Sequence, residues 1–89
     1  MSVYVDAIFY CHPRDPAVAR YGNAWCHLWA DDVEELNAFA KRMSLNPSWF
    51  QDRAKFPHFD LTARMRERAI VFGAVETTWK VWIERQAKR

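Results

Sequence analysis

Residues 24–30 read Ala-Trp-Cys-His-Leu-Trp-Ala, and residues 31–43 switch at once to a different period. In a strand successive side chains point to opposite faces. Trp25, His27 and Trp29 therefore share one face, and Cys26, Leu28 and Ala30 the other. In the next segment Val33, Leu36, Phe39, Ala40 and Met43 fall on one helical stripe, with Asp32, Glu35, Lys41 and Arg42 on the wet side. Asp31 is placed as the N-cap, with Glu34 as the acid of a capping box. A strand feeding an amphipathic helix in a chain of 89 residues predicts helices packed on a small sheet.

The remaining segments fill in that plan. Residues 2–9 are rich in Val, Ile, Tyr and Phe and read as a strand, with Tyr4, Asp6 and Ile8 on one side. Residues 10–23 form a loop, because Pro13 and Pro16 lack amide donors. Residues 44–57 are a connector in which Pro47 opens a single helical turn. His58 to Asp60 lead into a helix over 62–72, with Leu61, Met65, Ala69 and Phe72 as its buried stripe. Gly73 fits the left-handed position after that helix. A short strand at 74–76 and a helix at 77–88 complete the chain, the last carrying Trp79, Trp82, Ile83 and Gln86 on one stripe.

The expected architecture is α+β, with α/β as the alternative: a single domain over 1–89, with about three short strands (2–9, 24–30, 74–76) covered by about three helices (31–43, 62–72, 77–88). The strand-helix-helix-strand stretch needs a crossover, which predicts some parallel pairing. The expected core is Val3, Val5, Leu28, Leu36, Phe39, Ala40, Met65, Ala69, Trp82 and Ile83.

Charge and composition narrow the function. A net charge of +2, with acids and bases interspersed, does not indicate nucleic acid as a partner. Five Trp, six Phe and three Tyr serve either a bulky core or a stacking surface. Cys11 and Cys26 lack the spacing of a metal pair, and free thiols with no charged leader segment point to the cytoplasm. No run approaches the ~20 apolar residues of a membrane span. There is no P-loop, dinucleotide fingerprint or nucleophile elbow, and Cys26 and His27 point to opposite faces, so they are no dyad.

What remains is His27, His58 and Asp60, with Asp6, Gln51 and Arg66 as company. Two imidazoles and a carboxylate are the minimum for a divalent-metal site with open positions. The same set can do general acid–base work on a phosphate ester, with Arg66 neutralising charge. His27 lies on a strand feeding one helix, and His58 and Asp60 precede another, so two helix N-termini could face a phosphate-sized space. If the two imidazoles are more than about 12 Å apart, the site idea fails.

The order of Val3-Tyr4-Val5-Asp6, His27-Leu28-x-Ala30-Asp31, Trp49-Phe50-Gln51, His58-Phe59-Asp60 and Gly73-Ala74-Val75-Glu76-x-Thr78 resembles a bacterial and phage family known only as domain of unknown function 4031. The resemblance implies a short cytosolic protein of a kind frequent in phage genomes, sometimes joined to metal-dependent phosphohydrolase domains of the His-Asp type. The family pattern carries over as Asp6, His27, Gln51, His58, Asp60 and Arg66. Ala7 stands where relatives have a second Asp, and the 10–23 loop is longer than usual.

Two readings follow, with a plain structural or accessory domain as a third, and whether the chain is an enzyme stays open. In the first, the six residues frame a pocket that binds or hydrolyses a small phosphate-containing ligand, with a divalent metal as the cofactor such donors take. In the second, a phage-type protein in the host cytoplasm binds and modulates a host protein, and its histidines are structural.

Overall fold

The computed structural model describes residues 2–14, 16–52 and 56–87. Six strands form one sheet: β1 (Val3–Val5), β2 (Phe9–Tyr10), β3 (Ala24–Ala30), β4 (Phe50–Gln51), β5 (His58–Thr62) and β6 (Val75–Glu76). The helices are a four-residue α1 (Pro16–Ala19), α2 (Val33–Arg42), α3 (Ala63–Val71) and α4 (Trp79–Ala87). The class is α+β, and the three expected helices are present, but the sheet has twice the expected strands. Of the added strands, β4 and β5 come from segments read as a connector and a helix approach, and β2 from the junction of the predicted first strand and the loop after it. His58 to Thr62 alternates, with Phe59 and Leu61 buried, and this five-residue strand pairs antiparallel with β3.

The spatial order is β4-β5-β3-β1-β6, with β2 also on β3. The expected parallel pairing exists between β1 and β6, where Tyr4 faces Val75, so the short strand docks on the first strand rather than the second. The predicted strand over 2–9 is broken by a bulge. Val5 lies opposite Leu28 and Phe9 opposite Trp25, so four steps on one strand cover three on the other. Such an insertion re-aims the residues within it, and Asp6 is the first of them.

The register sorts the sheet into two faces. Val3, Val5, Cys26, Leu28, Ala30, Phe59 and Leu61 form the apolar one, joined in the core by Leu36, Phe39, Ala40 and Met43 of the α2 segment and Ala69 of α3. Burying a Leu or Phe side chain contributes roughly 1.5–3 kcal/mol, so this face supplies most of the folding drive. Three core expectations differ. Met65 packs only at the margin, Trp82 is half-buried outside the core cluster and Ile83 is exposed, since α4 has no fully buried residue.

The helix ends follow capping chemistry, with one shift. The N-cap of α2 is Asp32, whose carboxylate accepts from Glu35 N at 2.7 Å. Asp31, expected there, instead accepts from Ser2 N, Tyr4 Oη, Trp82 Nε1 and Gln86 Nε2, tying β1 and α4 together. Thr62 caps α3. Gly73, at φ +111°, ends it with the Ala74 N to Ala69 O bond of a Schellman turn. Ser44 holds the equivalent position after α2 at φ +57°, a region that favours glycine. No helix among the described residues is long and apolar enough to cross a membrane.

Candidate functional site

The second face of the sheet carries the polar chemistry. His27 on β3 lies directly opposite Asp60 on β5, and His58 lies opposite Gln51 on β4. Directly opposed residues point the same way, so four of the six candidates share this face. The ring centroids of His27 and His58 are 5.1 Å apart in an edge-on contact, well inside the 12 Å limit. One ligand atom from each of His27, His58 and Asp60 can be chosen so that no pair is more than 4.8 Å apart.

Each histidine is held through Nδ1. The Asp6 carboxylate takes both the backbone N–H of His27, at 2.7 Å, and its ring Nδ1, at 2.6 Å. That bond holds the His27 imidazole above the ordinary histidine range, against the opposing effect of burial. His58 Nδ1 lies 2.7 Å from the Phe56 carbonyl oxygen. A carbonyl only accepts, so the proton of neutral His58 sits on Nδ1 and the lone pair on Nε2. That Nε2 faces Asp60 Oδ1 at 3.3 Å. Two acceptors face each other unless a proton or a cation lies between them.

Arg66 is placed elsewhere. Its Nε donates to the Asp6 carbonyl oxygen at 2.7 Å, and its guanidinium pairs with Glu76 at 2.9 Å. It braces the bulge and β6 instead of facing the histidines. The facing helix N-termini expected here are also absent from the arrangement: His58 and Asp60 sit within β5, and the starts of α2 and α3 are capped by Asp32 and Thr62. The site is built on strands.

Sequence reasoning missed Phe56 and Phe9. Phe56 stacks on His58 at 4.6 Å and meets His27 edge-on at 5.5 Å, besides supplying the carbonyl. Its position before Pro57 was a usable signal, since a residue preceding proline is driven to an extended conformation. Phe9 stacks on His27 at 4.8 Å and also lines a neighbouring cavity that reaches Gln51 and Asp60. Cys26, beside His27 in sequence, is fully buried on the apolar face, and burial pushes its thiol up to about 12. It takes no part in the site.

A family model described as "Protein of unknown function (DUF4031)" matches residues 3–89. The chain belongs to that family. No curated protein and no solved structure matches it. The DUF4031 description assigns no chemistry, so function has to be argued from the site itself. In this DUF4031 chain Ala7 lies in the bulge and is exposed, and Asp6 beside it is the acid that bonds His27.

Proposed function

We propose that His27, His58 and Asp60 hold a divalent transition-metal ion whose open positions bind and polarise a phosphate-containing ligand. The observation that carries this reading is the orientation of His58: its Nδ1 is committed to a carbonyl, and its Nε2 is directed at a carboxylate 3.3 Å away. An ion about 2.1 Å from each ligand sets neighbouring ligand atoms about 3.4 Å apart. The His58–Asp60 pair already has that spacing, and small side-chain turns would bring in His27. Asp6 on His27 and the Phe56 carbonyl on His58 are the outer partners that orient metal-binding imidazoles and fix their tautomers.

Two histidines and one carboxylate leave positions for water or substrate, as in hydrolytic zinc sites and non-haem iron sites. A bound ion would lower the pKa of its water and draw charge from a phosphoryl oxygen. With Arg66 committed to Asp6 and Glu76, the ion takes over the charge-neutralising role first assigned to that guanidinium.

The test is calorimetric titration of the chelator-treated protein with Zn²⁺, Mn²⁺ and Co²⁺, with visible absorption of the Co²⁺ form as a reporter of coordination. One ion per chain is expected, lost in His58→Ala and in Asp60→Asn, the second being the variant that keeps shape. Metal-dependent hydrolysis of bis(p-nitrophenyl) phosphate then tests the reaction. No stoichiometric metal binding, or binding that survives both substitutions, would overturn the reading.

A further inference from the structure

Beside the histidine pair is a cavity of about 200 Å³ with four aromatic side chains in its walls. Phe9, Tyr21, Trp25 and Trp49 line it, and Gln51 and Asp60 supply polar groups. Tyr21 and Trp49 meet edge-on at 5.3 Å, and Phe9 separates the cavity from His27, on which it stacks. We infer that this cavity is a subsite for a nucleobase-type ring, and that the phosphate-containing ligand of the neighbouring site is a nucleotide. The second clause rests on the metal reading, whereas the ring subsite stands on its own geometry.

Size decides the ligand class first. A cavity of about 150 Å³ takes benzene, and pockets for whole drug-sized ligands run to roughly 300–1,000 Å³. The volume here suits one planar monocyclic or bicyclic group, with the rest of the ligand outside. Lining decides next. Aromatic faces stack on any planar ring, whichever base carries it. A purely hydrocarbon ring would make no use of the Gln51 and Asp60 polar groups. The Gln51 amide both donates and accepts, and the Asp60 carboxylate accepts, so the fitting ring has N–H groups beside a carbonyl or ring nitrogen on one edge. Nucleobases have that edge, whereas the phenyl ring of a peptide side chain does not.

The unpaired indole of Trp25 supports this choice. Trp25 is 6% exposed, and its Nε1–H has no partner among the described residues. A buried donor without an acceptor is costly, because its hydrogen bond to water is lost and nothing replaces it. A base carbonyl entering the cavity would relieve that cost after a small turn of the indole. Asp60 belongs to both the cavity and the His27–His58 cluster. A base seated against it would place the attached sugar and phosphate within reach of the histidines.

The experiment titrates cytidine, uridine, adenosine and guanosine, then their 5′-monophosphates, into the whole chain with and without metal. Tryptophan fluorescence is one readout. The other is the rate of modification of Cys11, an exposed thiol that lines the same cavity. Nucleosides should saturate without metal and slow the Cys11 reaction. Trp49→Ala and Gln51→Ala should each weaken binding roughly tenfold while metal affinity is unchanged. Monophosphates should gain affinity over nucleosides only when metal is present. If no nucleoside saturates at millimolar concentration, or both variants bind as the wild type does, the subsite is refuted, whatever the metal result. If phenol binds as tightly as the nucleosides, the base-specific edge is refuted. Nucleoside binding in a chain that takes up no metal would uphold the subsite and remove the metal reading alone.

Discussion

Replacing Asp31 with alanine should loosen the C-terminal helix from the sheet. No residue of α4 is fully buried, so little apolar area holds it. Its anchors are the ring contacts of Trp79 with Phe56 at 3.8 Å, of Trp79 and Trp82 with Trp29 and of Trp82 with Tyr4, and the Asp31 carboxylate. That carboxylate accepts from Tyr4 Oη and Trp82 Nε1 at 3.0 Å, from Ser2 N at 3.2 Å and, more weakly, from Gln86 at 3.4 Å. Bonds to charged groups contribute about 1.5–3 kcal/mol when well shielded. Asp31 is only half-buried, so about 1 kcal/mol for each of the three shorter bonds is the fitting scale, or about 3 kcal/mol in all. Domains of this size are stable by roughly 5–15 kcal/mol. A loss of that size should lower Tm by roughly 12–24 °C. Urea melts followed by tryptophan fluorescence give the free energy. Hydrogen exchange gives the location: the α4 amides should lose protection while those of β3 and β5 keep theirs. Trp82→Phe, which deletes one donor, should couple to Asp31→Ala by about 1 kcal/mol in a double-mutant cycle. A change under about 0.5 kcal/mol for Asp31→Ala, the size of an ordinary surface substitution, would refute the anchoring role.

Other outcomes follow from the same structure. Leu36→Ala, at a side chain with 1% exposure, should cost about 2–5 kcal/mol in denaturant melts. Ser44→Gly should stabilise by about 1 kcal/mol, because Ser44 sits at φ +57° where only glycine is unstrained. Thiol titration of the native chain should find one reactive cysteine, Cys11, with Cys26 reacting only after unfolding. Burial raises the Cys26 thiol from 9.0 to about 12, so its share of stability is intact below pH 9 and is lost as pH rises towards 12, a slope that Cys26→Ala removes. For His27 in the chelator-treated protein, the raised value means a contribution fully present below about pH 6.5 and lost as pH rises through the folded-state value. Asp6→Asn should flatten that part of the stability curve.

Legibility in the sequence tracked the length of the signal. The seven-residue alternation of β3 and the stripe of α2 were long enough to give element, face and core together. The two-residue segments β2 and β4 are too short for any period to show, and they form because a neighbouring strand supplies their hydrogen bonds, whereas β6, equally short, was expected at 74–76 and is present. β5 was hidden for a different reason. Asp60 and Thr62 are good helix starters, and their capping signal outweighed a five-residue alternation. The exchange between Asp31 and Asp32 has the same origin, since both residues can cap and only the reach of Tyr4 and Trp82 to Asp31 decides between them. At the site, residue types pointed to His27, His58 and Asp60, while antiparallel register brought them together, and register is a property of pairs of strands. Arg66 was misplaced because a helix position does not reveal which backbone oxygen its long side chain will reach.

The division of the sheet into an oily side and a chemical side has a consequence for how this chain can change over generations. Along β3 and β5 neighbouring positions answer to different demands: Cys26, Leu28, Phe59 and Leu61 are constrained by fit, and His27, His58 and Asp60 by what they touch on the opposite side. Substitutions at one set leave the other side chains in place, because they point away through the thickness of the sheet. The repertoire of bound molecules can therefore drift while the scaffold is conserved. A single-residue deletion within either strand exchanges the two sets and forfeits both at once. Tolerance to deletion should thus be near zero throughout these strands.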